Sequence, residues 1–333
     1  MSTPKKIAGT MVIPVLTFLI LEMICMAHGN NIITNMKSFD NFVVYTAIVM
    51  LTTIALSINL NSGRFDFSLG SMAALASIIG AKLSYAVLGG DAGSAVLMLF
   101  VTIVAGAVLG LVSGGIYVLL RIPPIITSLG VTLIYEGIMY TITNGKYVMA
   151  EVQNPSMSGF VGTWIYAAAI IVVVLILSIV IFDYTRFGHD YKALKDGQKV
   201  AVNTGIREIP NTLICYTICG ALMGTVGFLN AARNTTINGG QLNFSSIAIM
   251  FTAFLPMFIG SYISRYSNEK VGFLLAAVCM SLLNSTFAVL SNVVTASMQS
   301  IINAVLLVVF LIYLNNEKLL VKIFFGRRNR ESR

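Results

Sequence analysis

Charge is what this sequence has least of. Asp, Glu, Lys and Arg make up 10% of its 333 residues, against 57% hydrophobic residues and a mean hydropathy of +0.87. Soluble domains carry about 25% charged residues. A water-covered globule is therefore excluded, and a bilayer must solvate most of the chain. Histidine is reduced to His28 and His189, both outside the apolar runs. With no HExxH and no GxSxG, an intramembrane hydrolase lacks its nucleophile, base or metal. GxxxxGK[ST] is absent too, so the chain has no phosphate-binding loop of that type. Cysteine occurs four times, always in or at the ends of apolar runs, which excludes an extracellular disulfide framework. Cys215 and Cys219 stand one helical turn apart but lack further ligands, so they read as packing and no metal site is assigned.

Long apolar runs are what the chain does have. Stretches long enough to span lie near 7–27, 42–60, 69–88, 94–119, 123–143, 162–182, 211–231, 244–264, 271–289 and 296–316. These predict an all-α polytopic membrane protein with about ten transmembrane helices in one domain, 1–333. The first run follows Lys5 and Lys6 as a signal peptide would, but its length and the nine further runs favour a retained helix. Pro123, Pro124 and Gly130 interrupt the fifth, which is expected to be a broken or re-entrant helix.

Cation placement orients this count. With both termini on one side, that side holds Lys5, Lys6, Arg64, Arg121, Arg265, Lys270, the five cations of 183–209 and the six of the tail 317–333. The other side holds Lys37, Lys146 and Arg233, and Lys82 falls within a span. The positive-inside rule makes the basic side cytoplasmic. The net charge of +8 then reports orientation and contact with anionic lipid, not nucleic acid. Gly106, Gly110 and Gly114 line one face of the fourth run, and Gly220, Gly224 and Gly227 one face of the seventh, as close helix packing in lipid requires.

Two segments carry polar chemistry. Gly63 to Ser71, GRFDFSLGS, places Arg64 and Asp66 at the seam of the second and third runs. One reading has Asp66 and Ser68 cap and brace a helix break along an inner pathway; the other has Arg64 and Asp66 pair to shape a turn. The loop 183–210 is the one long segment on the basic side. Asp196 is expected to cap a short helix over Gly197 to Thr204, with Gly205 at φ > 0 and Ile206 folding back. Val200 and Ala201 would give it an apolar patch, flanked by Lys195 and Lys199. Glu136 lies deep in the fifth run, and Phe251, Phe254, Phe258 and Tyr262 recur at helical spacing in the eighth. Those rings either stack on a solute or pack against helices.

Three stretches resemble the membrane subunits of bacterial ATP-binding-cassette importers for monosaccharides, the ribose, xylose and galactose permease family. Ser62 to Ser71 resembles its Gly-Gly-Ile-Asp-Leu-Ser-Val-Gly-Ser signature. Arg121 to Gly145 resembles its Pro-Phe-Ile-x-Thr-Leu-Gly stretch, and Thr185 to Ile206 resembles its Thr-x-x-Gly, Gly-x-Asn, Ala-Ala-x-x-x-Gly-Ile loop. Order and spacing agree over roughly residues 10–315. The chain departs at Arg64, Phe65 and Phe67, at Glu136 where many relatives have arginine, at Asp196-Gly197, and at Met257 to Ser261.

The resemblance implies a type II importer-like bundle in a bacterial plasma membrane, with no covalent chemistry and no cofactor of its own. ATP and Mg would sit on a tandem-domain ATPase gripping the coupling helix near 196–205 through Lys195, Asp196, Gly197, Lys199, Val200, Ala201, Gly205 and Ile206. A solute-binding protein would deliver cargo, and a second permease chain, identical or a sister, would complete the pathway. Candidate pathway residues are Phe65, Asp66, Ser68, Glu136, Phe254 and Phe258. The alternative is a stand-alone secondary transporter or channel. The acids that such a protein needs for a driving-ion site are few here: Glu22, Asp66 and Glu136.

Overall fold

The structure, a computed structural model, describes residues 3–89, 93–148, 163–234 and 236–325. Lys5, Lys6 and the basic tail 317–333 lie outside the residues whose side chains it describes.

Among the described residues, ten helices are long and apolar enough to cross a membrane, each within a few residues of its expected place. They comprise α1 (Thr3–Ala27), α2 (Met36–Asn61), α3 (Leu69–Leu88), α4 (Ser94–Leu120), α5 (Pro124–Thr143) and α6 (Trp164–Ile179), which runs on as a π-turn to Tyr184. The amphipathic α7 (Arg186–Asn203) lies outside them. After it come α8 (Glu208–Asn234), the eighth span, α11 (Glu269–Val289) and α12 (Ala296–Phe325). The eighth span is built in pieces: a 3₁₀ turn Ser245–Ile247, α9 (Ala248–Phe251) and α10 (Phe254–Ile263). One exception to the all-α expectation is a two-residue antiparallel clasp, β1 (Tyr147–Val148) on β2 (Ile237–Asn238).

The expected break therefore falls in a different place. The fifth span is one continuous helix: Pro124 stands at its first position, where the missing N–H breaks no bond and φ is already helical. The interrupted span is the eighth.

The centre of the bundle is α2, packed on α8 and α11, and α8 in turn packs on α3 and α4. Its middle is buried almost without interruption from Ala47 to Asn59. In lipid no hydrophobic drive pulls helices together, so contact depends on close backbone approach. At α4 and α8 a Cβ on Gly106 would strike the carbonyl of Gly220, and one on Gly220 the carbonyl of Gly106. The two glycine faces thus meet each other, except that Gly227 turns to Ala73 of α3. All four cysteines are buried free thiols, and the Cys219 Sγ donates to the Ala55 carbonyl at 3.3 Å.

The chain also repeats itself. Asn61-Ser-Gly-Arg-Phe-Asp-Phe-Ser68 and Asn238-Gly-Gly-Gln-Leu-Asn-Phe-Ser245 share one pattern, each leading into a helix. The elements after each string correspond as well: α3, α4 and α5 in the first copy, the eighth span, α11 and α12 in the second. Five spans separate the copies, so they run in opposite senses through the membrane, an inverted repeat.

Candidate functional site

The two repeated strings meet inside the bundle. Asn61, at the end of α2, is tied to Glu269 on the basic face, whereas α8 ends at Asn234 on the opposite face. Residues 62–68 and 236–244 therefore enter from opposite sides. A Cβ on Gly70, in the first turn of α3, would overlap the carbonyl of Ser246, so the two helix starts are in contact. The second segment descends along α5. The Thr143 hydroxyl donates to Gly239 O at 3.1 Å, and Glu136, about 10 Å further down α5, receives Phe244 and Ser246. Both helices consequently begin within the membrane, at the kind of paired break that marks transport pathways built on inverted repeats.

Each start is held by one buried carboxylate. Asp66 Oδ1 accepts from Ser68 N at 2.9 Å and Ser68 Oγ at 2.6 Å, and its Oδ2 from Asn59 Nδ2 at 3.3 Å. Glu136 Oε1 accepts from Ser246 N at 2.9 Å and Ser246 Oγ at 2.6 Å, and its Oε2 from Phe244 N at 2.9 Å. Both acids sit at the positive end of a helix dipole, which offsets part of the cost of a charge at this depth. In the first repeat the acid is local. In the second, Asn243 and Phe244 take left-handed conformations, and α5 supplies the acid.

Of the two readings of the seam, the capping one matches this geometry with one change: Asp66 is the cap, and Ser68 donates to it and makes no side-chain cap itself. An Arg64–Asp66 pair does not form. Gly63, at φ +72°, closes α2, and Arg64 turns away to Glu208, with its Nη2 3.7 Å from Oε1. Asp66, Ser68 and Glu136 are at most 1% exposed, so none of them presents its side chain to an open surface of this chain. The aromatic candidates lie nearer the surface. Phe65, Phe67, Phe251, Phe254 and Phe258 form a continuous ladder, with successive ring centroids 4.6–6.4 Å apart, bridging the seam to the broken span. Phe251 is 55% exposed.

On the opposite face, above this junction, a cavity of about 370 Å³ opens between α3, α8 and the clasp. Asn230, Asn234, Asn238, Gln241, Ser77, Thr236 and Tyr147 supply its polar groups, and no acid or base lines it among the described residues.

On the basic face α7 is bound to the seam. Thr185 Oγ1 caps it by accepting from Gly188 N at 3.2 Å. The chain is extended at Gly197, which splits α7 in two, one residue beyond the expected Asp196 cap. Gly205 has φ +95°, and Ile206 N returns to Ala201 O at 3.1 Å, closing the helix as expected. The apolar patch differs from expectation: Ala201 is buried, while Val200 is 69% exposed with Val202 and Ile209 also exposed. Lys195, Asp196 and Lys199 are exposed beside them.

Three acids tie α7 inward. Asp183 takes Lys192 Nζ at 2.7 Å and Asn268 Nδ2 at 2.9 Å. Glu269 Oε1 takes Lys195 Nζ at 3.7 Å and Asn61 Nδ2 at 3.2 Å. Glu208 Oε1 takes Gln198 Nε2 at 2.6 Å and Arg64. Below them Tyr191 is buried, and its hydroxyl donates to Ile58 O at 3.0 Å. Burial pushes that phenol well above the usual tyrosine range, so it stays a donor. Ile58 adjoins Asn59, the partner of Asp66. One bonded path therefore runs from α7 through Tyr191 and α2 to the seam.

None of Tyr191, Asn59, Asn61, Glu208 or Glu269 stands out in the sequence. The duplicated Asn-x-Gly string did offer a signal for the second half-site.

Residues 38–312 match the family described as branched-chain amino acid transport system / permease component. Among similar proteins is the autoinducer 2 import system permease protein LsrC of Photorhabdus luminescens, 25% identical over 73% of this chain and 72% of its own length. Another is the ribose import permease protein RbsC of Escherichia coli strain K12, 22% identical over 91% of this chain and 92% of its own. No solved structure matches the chain. With ten apolar spans, an inverted repeat and a family match over most of its length, this chain belongs to the permease-component family of such transport systems, as a multi-pass membrane transport subunit and not an enzyme.

Proposed function

We propose that this chain is the permease half of an ATP-binding-cassette importer for a small, uncharged, hydroxyl-rich solute of monosaccharide size. The observation that carries the reading is α7: a surface helix with Val200 exposed at its tip, linked through Glu208, Glu269 and Tyr191 to the break at Asp66. A solvated loop needs no such linkage, whereas a lever pushed by a separate ATPase does.

In this reading the basic face is cytoplasmic, with both termini on it. ATP and Mg belong to the partner, whose domains seat on Lys195 to Ile206, and a solute-binding protein docks on the opposite face. A second permease chain, identical or a sister, encloses the pathway with this one. Solute enters past Asn230, Asn238 and Gln241, amides that donate to and accept from hydroxyls without favouring an ion, and the buried Gln241 Oε1 is unpaired in the protein. The aromatic ladder at Phe251, Phe254 and Phe258 then offers apolar ring faces. Asp66 and Glu136 hold the two helix starts that form its floor. Relatives named for ribose and autoinducer 2 import support the solute class.

The test is purification from the native membrane. A stoichiometric ATPase should accompany the chain, be lost on Val200→Asp, and drive uptake only when its hydrolysis is intact. Ion-driven uptake by the lone chain in liposomes would instead establish the secondary-transporter reading.

A further inference from the structure

A second polar pocket opens on the face opposite the basic one. It measures about 410 Å³ and lies where α2 begins and α8 and α11 end, beside the connection from α1 to α2. Asn30, Thr34, Ser38, Asn41, Asn284 and Ser285 line it with amides and hydroxyls, and Arg233 is the one charged residue among them. The Arg233 guanidinium lies over the Tyr45 ring, 4.8 Å from its centroid, and among the described residues it meets no carboxylate. A guanidinium held by its face keeps its edge N–H donors for a planar, bidentate acceptor. The described acids of this face are already engaged: Glu22 accepts from Ile32 N at 3.2 Å and Asp40 from Trp164 N at 2.7 Å. Lys37 and Lys146 are exposed on the same face, which leaves it positive.

We propose that this pocket is the socket for one acidic side chain, Asp or Glu, on the surface of the solute-binding protein. The inference rests on the importer reading and names the contact which that reading leaves open. Position selects this occupant first. The pocket shares Asn234 with the cavity assigned to solute entry, so a protein that delivers solute to one covers the other. The lining argues against lipid. Its walls include the ends of α2, α8 and α11, which pack together at the centre of the bundle, and its apolar members are only Ile32, Ala288 and Val289. An acyl chain finds no groove there. A free anion held by one half-buried cation gains little in water. A carboxylate carried by a protein already docked has only to add to other contacts, and it steers that protein toward a positive face.

The experiment uses the full-length permease with its ATPase in nanodiscs, and the solute-binding protein that stimulates uptake by that complex. Arg233→Gln should weaken binding of that protein about tenfold and flatten its dependence on salt. Arg233→Lys keeps the charge and should lose less. Asn284→Asp sets an acid in the pocket with Arg233 still in place, and should weaken binding comparably. Arg233→Glu should be rescued by replacing one acid of the binding protein with lysine. Unchanged affinity in Arg233→Gln and Asn284→Asp would overturn the proposal and leave the importer reading standing. Weakening that no charge reversal on the binding protein rescues would also overturn it, because Arg233 would then only brace α8 against α2. Weakening seen with phosphatidylglycerol but absent in pure phosphatidylcholine would overturn it by giving the anion to lipid. If no binding protein stimulates uptake, the importer reading fails and takes this inference with it. If Arg233→Gln does not fold, Asn284→Asp decides.

Discussion

Glu136 is expected to be the residue whose loss the fold tolerates least. Its carboxylate is the acceptor for two backbone N–H groups, of Phe244 and Ser246, and for the Ser246 hydroxyl, all inside the membrane domain. Glu136→Ala strands both N–H groups where water does not reach, at about 1–3 kcal/mol each. It also removes a negative charge from a helix start, worth about 0.3–1 kcal/mol. The sum, roughly 2–7 kcal/mol, is a large part of an ordinary folding free energy. Glu136→Gln preserves the shape, and its amide oxygen can serve Ser246. Its NH₂, however, then faces the Phe244 N–H, a donor against a donor that no rotation of a backbone group relieves, so about 1–3 kcal/mol is lost. The four buried thiols provide the assay: a thiol-reactive fluorophore reports unfolding as Cys25, Cys215, Cys219 and Cys279 become exposed. At about 2 °C per kcal/mol for a chain of this size, Gln should lower the melting temperature by about 2–6 °C, and Ala by more. A Glu136→Ala protein melting within 1 °C of the native one, with normal abundance and uptake, would refute the bracing role.

Asp66→Asn should behave differently, because the third partner of Asp66 is a side-chain amide. Asn59 Oδ1 is buried without a partner, so a flip of that amide accepts the new NH₂; stability should change by less than about 1 kcal/mol, checked in the same thiol melt. Tyr191→Phe removes one buried hydrogen bond between α7 and Ile58, costing about 1 kcal/mol. ATPase should still co-purify with this variant while transport per ATP hydrolysed falls, and an unchanged ratio would count against the lever. Gly220→Leu forces a side chain into the Gly106 carbonyl across the α4–α8 contact, where overpacking costs about 1–3 kcal/mol or more. Membrane abundance should drop sharply, as read by immunoblot of the membrane fraction.

Span number and place were legible because hydropathy over a bilayer's thickness is a local property of the chain, and each expected run became a helical span, the eighth in pieces. The helix end at Gly205 was legible for a similar reason: it adopts the positive φ that few other residues accept. The fifth span misled because Pro123 and Pro124 look like breakers, yet proline at a helix start is harmless; only the start position decides. The role of Glu136 was not legible, since its partners lie 108 and 110 residues away. Nor was the reach of α7, whose anchors Glu208, Glu269 and Ile58 come from three different helices.

By itself the sequence determined the solvent of this protein, the number of its crossings, the side on which its cations collect, and the duplicated Asn-x-Gly string that opens both halves. Each of these follows from residue types read along the chain. Only the tertiary structure decided that the two strings meet within the membrane, that one borrows its acid from α5, and that a surface helix is tied to the first. Those facts depend on which distant backbone donors find a carboxylate once the helices are packed, and no local preference encodes that pairing.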